Sequence, residues 1–371
     1  MIIAVIYGGK SGEHEVSLVS AAAVARNIGG EHTVVLIGID KDGAWFVQPE
    51  QELSRVRGHE DAVLRIVRDD SARVAVVPGG GKARALRTAG GTALPVDIVF
   101  PVLHGTFGED GTIQGLFEMA DVPYVGCGVL GSAAAMDKEK TKRLWQAAGL
   151  PVVPFICVYA RDVHSGALDG RLSEAEQAFG YPLFVKPCCA GSSVGAARAR
   201  SREELEQAVT EAFRWDTKIL IERSVNAREI ECSVTGNADI SDSVIAYTPG
   251  EIAPSYDFYD YNAKYTDPDG AAFYIPARLT EDQLSFIQNT AVSAFKALGC
   301  CGFARVDFFA DRGTGCIYLN ELNTIPGFTP ISMFSKMCGA SGLGYAALVE
   351  LLIELGFEQF ASKHSLRTDR G

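Results

Sequence analysis

Arg305, Asp307, Glu321 and Asn323 lie in two apolar runs, Phe303–Ala310 and Cys316–Asn323, which flank a short polar segment containing Gly313 and Gly315. Runs separated in this way predict a β-hairpin. With Ala310 paired to Cys316, Arg305 falls opposite Glu321, and Asp307 opposite Leu319. Side chains alternate along a strand, so the four polar residues then share one face. Three oxygen-bearing groups and one fixed cation on one surface suit Mg²⁺, which takes a few protein oxygens and completes its shell with water and phosphate. The register decides this, because one residue of slip would carry Asp307 to the face opposite Glu321 and Asn323. A solvated hairpin explains Asp307 or Asn323 taken singly. It explains the set poorly, since an otherwise apolar strand leading into Thr324–Thr329 should be buried, and buried charges without partners are costly.

A second stretch, Tyr181–Gly195, reads as a buried strand that delivers Lys186 into a small-residue loop, Gly191-Ser192-Ser193-Val194-Gly195. Backbone amides and hydroxyls there can wrap a polyphosphate, with Lys186 supplying charge. The Walker spacing of Gly-x₄-Gly-Lys-Ser/Thr is absent. Met136–Lys142 opens an amphipathic helix ending near Gly149, and lysines in its first turns oppose the helix dipole unless solvent or an anion offsets them. The strand at Lys218–Val225 ends at Glu222 and a linker, a place able to offer an adenine one acceptor and backbone partners. Ser255–Gly270 is tyrosine-rich and long for a loop without its own structure, which suits a lid.

These features need elements to hold them. The chain has 371 residues, enough for two or three domains. Its formal charge of −12 argues against nucleic acid or an anionic membrane as partner. No apolar run approaches the ~20 residues that span a bilayer, and Ile2–Tyr7 reads as a first buried strand rather than a secretory signal. The nine cysteines are scattered without a CxxC pair, so free thiols in a reducing cytosol are expected rather than zinc or disulfides. Strand, Gly-rich turn and helix follow at Ile2–Ile28, with Glu13 and Val16 at the turn where a ligand can meet backbone amides. Val34–Ile39 and Ile98–Leu103 read as further buried strands. Between them, residues 41–97 read as peripheral, with short strands at Val63–Val67 and Val74–Val77. His104–Gly111 follows a strand end, where ligands gather in open α/β sheets. Thr280–Leu298 reads as a helix, Tyr345–Leu355 as the last helix, and Ala361–Gly371 as a frayed tail.

Taken together, five blocks resemble the D-alanine–D-alanine ligases of the ATP-grasp superfamily over nearly the full length. They are Gly8–Ser17, His104–Gly111, Met136-Asp137-Lys138, Lys186-Pro187 with Gly191–Gly195, and Arg305–Asp307 with Glu321–Thr329. The resemblance implies an α/β (α+β) chain of three domains, at 1–127, 128–222 and 223–371. The first would be an open, mainly parallel domain, and ATP would lie between the other two. It implies ligation through an acyl phosphate, for peptidoglycan precursors, in a cytoplasmic homodimer. Asp307, Glu321 and Asn323 would hold two Mg²⁺, for which Mn²⁺ could substitute. Arg305 and the Gly327 N–H would stabilise the intermediates. Glu13, beside Val16, would hold the first ammonium, and Glu13, Ser192 and Tyr265 would tie the lid shut. Ser332, with Met333, would hold the second carboxylate, while His104 and Lys264 would lie near the substrates. Lys138, Lys186 and Ser193 would contact phosphates, Glu222 and the Val225 backbone would read adenine, Glu229 the ribose, and Phe309 would pack on the base. Cys188-Cys189-Ala190 departs from the polar residues many relatives carry before Gly-Ser-Ser.

Three rivals make different demands. A D-alanine–D-lactate or D-alanine–D-serine ligase needs another second-substrate pocket, and the intact Tyr261–Tyr265 ending favours the dipeptide. A non-catalytic nucleotide sensor should have lost metal or substrate groups, and none is missing here. A biotin-carboxylase-like enzyme would need neither the Glu13 block nor the lid.

Overall fold

Strand Ile2–Gly8 is buried along almost its whole length. The computed structural model describes residues 1–241, 243–254, 271–329 and 331–367. In it this strand lies inside a sheet ordered Trp45–Val47, Thr33–Ile39, Ile2–Gly8, Ile98–Val102. Its two neighbours pair with it in parallel, and Trp45–Val47 adds an antiparallel edge. An unbroken apolar run is what a parallel strand covered on both faces requires. Gly8, at φ +90°, ends the strand where a Cβ would stand 2.2 Å from Ile39 O. Only glycine fits there, and the turn carries Gly9–Glu13 over the strand's C-terminal end into the helix His14–Asn27.

Residues 41–97 are not peripheral. Val56 and Leu64 pack in one core with Ile3 and Val5, and Ala85 and Leu86 pack on the other face with Ala4 and Ile6. The strand expected at Val63–Val67 does not form. Side chains replace its ladder: Tyr7 Oη donates to Arg65 O at 2.7 Å, and Val67 N donates to Gln48 Oε1 at 2.7 Å. Val74–Val76 does form a strand, paired with Leu86–Thr88.

The middle sheet is antiparallel and ordered Ala197–Ala199, Leu183–Pro187, Lys218–Arg223, Phe155–Tyr159. The helices Leu168–Phe179 and Arg202–Ala212 cover it through Leu172, Ala175, Leu205 and Val209. The helices Val129–Met136 and Lys138–Ala147 pack elsewhere, although the boundary expected at residue 128 groups them with this sheet. Trp145 is fully buried with Ile230, Ala294 and Phe308 of the last sheet's core, and its Nε1 donates to Ala294 O at 3.1 Å. The stretch 128–222 therefore contributes to two cores, Trp145 to that of the last sheet and Leu172 and Leu205 to that of the middle sheet.

The last sheet runs Ala271–Tyr274, Gly250–Pro254, Ala227–Asn237, Cys301–Asp311, Ile317–Asn323. Helix Glu281–Ala297 backs it and starts with a reciprocal cap between Thr280 and Gln283. The C-terminal helix, Tyr345–His364, runs well past Leu355. The first part of the frayed tail expected at Ala361–Gly371 is instead helix, where Lys363 pairs with Glu118 and His364 Nε2 lies 2.7 Å from Asp121 Oδ1; residues 368–371 lie outside the described residues. Leu348, Val349, Leu352 and Ile353 of this helix complete the core of the first sheet beside Ile3 and Phe100.

Candidate active site

The hairpin forms, with a different register from the one expected. Ala310 pairs with Ile317 and Phe308 with Leu319, one residue out of the anticipated alignment. A bulge then takes up Asn320, so that Asp307 faces Glu321 and Arg305 faces Asn323. The slip and the bulge add to a shift of two residues, which preserves alternation, and the four polar side chains return to one face. The bulge also re-aims Asn320, whose Oδ1 accepts from Lys186 Nζ at 3.0 Å.

Arg305 grips Asp307 with both prongs, Nε to Oδ1 and Nη2 to Oδ2, each at 2.7 Å. Asn323 Nδ2 donates to Asp307 Oδ2 at 3.0 Å. Glu231 joins from the neighbouring strand, in register with Asp307 and 3.2 Å from Arg305 Nε. Glu229 and Phe309 form the next pair along the same face. Several carboxylates around one guanidinium, on a half-buried surface, leave room for a further cation. The oxygen donors of Asp307, Glu321 and Asn323 fit a hard divalent ion better than a soft one.

Two adjoining cavities meet above this face. The larger, about 450 Å³, lies between the middle and last sheets. Lys138, Lys186, Ser193, Glu222, Val225, Glu229, Phe309 and Asp307 all border it. The smaller, about 80 Å³, is bordered by Glu13, His104, Glu109, Arg305, Asn323 and Gly327. Lys138, Ala190, Ser192 and Glu321 border both, so the two lie side by side and share these walls.

The roof is the loop Gly191–Gly195. Ser192 and Ser193 both adopt left-handed backbone, φ 52° and 59°. Strain of that kind on residues with a Cβ gathers at functional sites. Ser192 Oγ donates to Glu13 Oε1 at 2.6 Å, joining the roof to the N-terminal turn. Lys138 Nζ donates to Ala190 O at 2.8 Å and lies 3.4 Å from Glu321 Oε2, so it ties roof to floor. Asp137 caps that lysine's helix by accepting from the N–H groups of Glu139 and Lys140.

His104 is engaged at both ring nitrogens. Nδ1 lies 2.9 Å from Ile325 O, and Nε2 lies 3.0 Å from Ser20 Oγ, which accepts from Phe328 N. A carbonyl only accepts, so Nδ1 carries the proton and Nε2 accepts from Ser20. Burial pushes the ring's pKa down and keeps it neutral. His104 therefore supports the Ile325–Phe328 segment while bordering the small cavity. Glu109, which sequence reasoning passed over, accepts from Gly105 N at 2.7 Å and from Ile325 N at 3.2 Å. Burial, and then the Glu13 carboxylate, push its carboxyl up to about 8, so it is mostly protonated at neutral pH.

A Cβ at Gly327 would stand 2.8 Å from Ser332 Oγ, so a side chain there would force that hydroxyl to turn away. Ser332 Oγ accepts from Thr329 N at 3.0 Å. Three of the expected substrate contacts, Val16, Ser332 and Met333, border neither cavity. Val16 is buried in the first helix, and Met333 is buried with Ile252 and Met337. Lys264 and Tyr265, with the rest of the lid expected at Ser255–Gly270, lie outside the described residues. Asn320, Glu231, Glu109 and Lys142 were missed, and only Glu109 stood inside a recognisable block.

The sequence profile described as "D-ala D-ala ligase N-terminus" matches residues 2–127, and the one described as "D-ala D-ala ligase C-terminus" matches residues 144–354. A D-alanine–D-alanine ligase of Treponema denticola is 54% identical over 371 residues, all of both chains. The solved D-alanine-D-alanine ligase of Coxiella burnetii is 34% identical with a TM-score of 0.82, covering 98% of this chain and 96% of that one. The VanG D-Ala:D-Ser ligase of Enterococcus faecalis is 37% identical with a TM-score of 0.80, covering 96% of this chain and 99% of that one. Similarity of this extent, over both cavities and the hairpin beneath them, means that the chain belongs to the D-alanine–D-alanine ligase family and has the ATP-grasp fold.

Proposed function

We propose that the chain joins two D-alanine molecules into D-alanyl-D-alanine with ATP, for cell-wall precursors, and that the two cavities divide the work. The larger takes ATP, with its phosphates at Lys138, Lys186 and the Ser192–Ser193 amides. Its adenine lies between Glu222 and the Val225 backbone, with Phe309 against the base and Glu229 at the ribose. The smaller takes the first D-alanine, its ammonium at Glu13 and its carboxylate toward Arg305. Asp307, Glu321 and Asn323 would hold Mg²⁺, which neutralises charge spreading over the transferring phosphoryl group.

The first D-alanine's carboxylate oxygen then bonds to the γ-phosphorus, and the bond to the β-phosphate oxygen breaks, releasing ADP. The second D-alanine, its carboxylate at Ser332, attacks the acyl phosphate carbonyl through its neutral amine. The C–O bond to phosphate breaks, and a proton leaves the new amide nitrogen. Arg305 and the Gly327 N–H stabilise negative charge on the tetrahedral intermediate. Tyr265 and Lys264 would close the lid over this step. The homodimer and the cytoplasmic location are carried by the family reading alone.

The observation that carries this reading is the adjacency of the two cavities, which share Lys138, Ser192 and Glu321. It lets a γ-phosphate and an amino-acid carboxylate meet above the hairpin. A second reading, D-serine as the second substrate, has support in the likeness to the D-Ala:D-Ser ligase. One experiment separates them. The protein is incubated with ATP, Mg²⁺ and D-alanine, with D-serine or D-lactate in parallel tubes. ADP release is followed and products are identified by mass. D-alanyl-D-alanine dominating in every tube is the expected result. A dominant mixed product would move the assignment to the second reading, and no ADP release from folded protein would remove both.

A further inference from the structure

Lys142 lies in the helix Lys138–Ala147 with its side chain fully buried, and it borders neither cavity. Its ammonium stands 2.7 Å from Glu222 Oε1, donates to Val153 O at 3.3 Å, and lies 5.6 Å above the centre of the Phe155 ring. Lys186 approaches the other oxygen of the same carboxylate, 3.0 Å from Glu222 Oε2, and it also donates to Asn320 Oδ1. Glu222 thus sits between two ammonium groups of different standing. Lys186 borders the nucleotide cavity, whereas Lys142 lies behind the carboxylate with no route to a ligand.

We propose that Lys142 is the positioning residue for base selection: it stays on Glu222 Oε1 as a fixed counter-ion at neutral pH, so that Glu222 remains an ionised acceptor when Lys186 turns to the polyphosphate. The inference rests on the reading that ATP occupies the larger cavity with its adenine at Glu222. An ionised carboxylate accepts the 6-amino group of adenine and repels the 6-oxo group of hypoxanthine or guanine. Without Lys142, Lys186 would be the carboxylate's one remaining ammonium, and a bound polyphosphate competes for it. A buried carboxylate left without a cation takes up a proton, and a protonated carboxyl can donate to a 6-oxo group. Selectivity would then relax. The present charge state agrees with this. Burial alone would push the Glu222 carboxyl up, but the Lys142 ammonium, and then that of Lys186, hold it below the ordinary range.

The test compares kcat/KM for ATP and for inosine triphosphate in the wild type, Lys142→Met, Glu222→Gln and the double variant, with thermal unfolding recorded for each. Glutamine can turn either end of its amide to the base, so Glu222→Gln should lower the ATP preference by on the order of ten-fold or more, equivalent to at least about 1.4 kcal/mol. Lys142→Met should lower it to a similar extent, and the double variant no further than Glu222→Gln alone. If Lys142→Met does not fold, Lys142→Gln takes its place, because it removes the charge but keeps a donor toward Glu222. A folded Lys142 variant with the wild-type preference, beside a relaxed Glu222→Gln, would overturn the inference and leave Lys142 a purely structural cation. An unrelaxed Glu222→Gln would instead overturn the placement of adenine at Glu222.

Discussion

Asp307 is held by Arg305 and Asn323 together, and Arg305 keeps Glu231 if Asp307 is removed. Asp307→Ala should therefore leave the fold nearly intact while lowering kcat by about 10³-fold or more, the scale at which losing charge at a transferring phosphoryl group is felt. Glu321→Ala should behave alike. Steady-state ADP release with a melting curve checks both, and near-normal turnover in either would remove the metal assignment. Glu109 gives a pH prediction. Its folded carboxyl titrates at about 8 against an ordinary 4.5. The folded state thus holds a proton that the unfolded chain has lost. This contribution to stability is complete below about pH 4.5 and disappears as pH rises through 8. The melting-temperature gap between wild type and Glu109→Gln should narrow from pH 5 to pH 8. A constant gap would mean that Glu109 is ionised throughout.

Among elements, the roof loop is the most constrained. Gly195 adopts φ +69°, and a Cβ there would stand 2.5 Å from Trp215 Cδ1 and 3.0 Å from Pro187 Cγ. Left-handed backbone costs a residue with a Cβ about 1–2 kcal/mol, and Trp215 must also move. Gly195→Ala should raise the KM for ATP by on the order of ten-fold and shift the tryptophan emission. Unchanged KM and emission would mean that the loop is free to rearrange. The same scale shows what sequence could and could not convey. The shared face of the hairpin was legible because strand alternation survives any shift by an even number of residues. The bulge at Asn320 was not, since it depends on how the two strands align beyond the turn rather than on Asn320 itself. In the helix Lys138–Ala147 the pattern misleads: Leu144 is 41% exposed and Lys142 fully buried, because the carboxylate that attracts Lys142 is 80 positions away, at 222. Arg65 and Val67 failed as strand for a related reason, with Tyr7 and Gln48 taking the groups a ladder would use.

At the scale of the whole molecule, the cores do not follow the order of the chain. The C-terminal helix seats Leu348, Val349, Leu352 and Ile353 beside the first sheet, each at most 1% exposed. Burying a side chain of that size is worth about 1.5–3 kcal/mol, so the four together approach the roughly 5–15 kcal/mol that holds a typical domain. A chain ending before Tyr345 should have no stable first domain, as judged by solubility and far-UV circular dichroism. A cooperative melt near the wild-type temperature would contradict this. The acid limb belongs to this scale too. Glu139 and Glu251 both titrate at about 2 in the fold against 4.5. Burial raises them, but Arg143, Lys140 and Lys218 around Glu139, and Arg228 and Arg278 around Glu251, outweigh it. Their stabilisation is complete above about pH 4.5 and lost as pH falls through 2. Unfolding below pH 4.5 should be milder in Glu251→Gln than in the wild type, relative to each protein's own stability at pH 7.

The position of the C-terminal helix also matters while the protein is being made. On the ribosome, Ile3 and Phe100 emerge well before Leu348, Val349, Leu352 and Ile353, the apolar surface that covers them. The first sheet must wait, partly uncovered, until that helix is made, and an exposed apolar surface in a nascent chain invites aggregation. Growth of this polypeptide is therefore a race between elongation and self-association, and chaperones that shield its N-terminal end would raise the yield of folded protein.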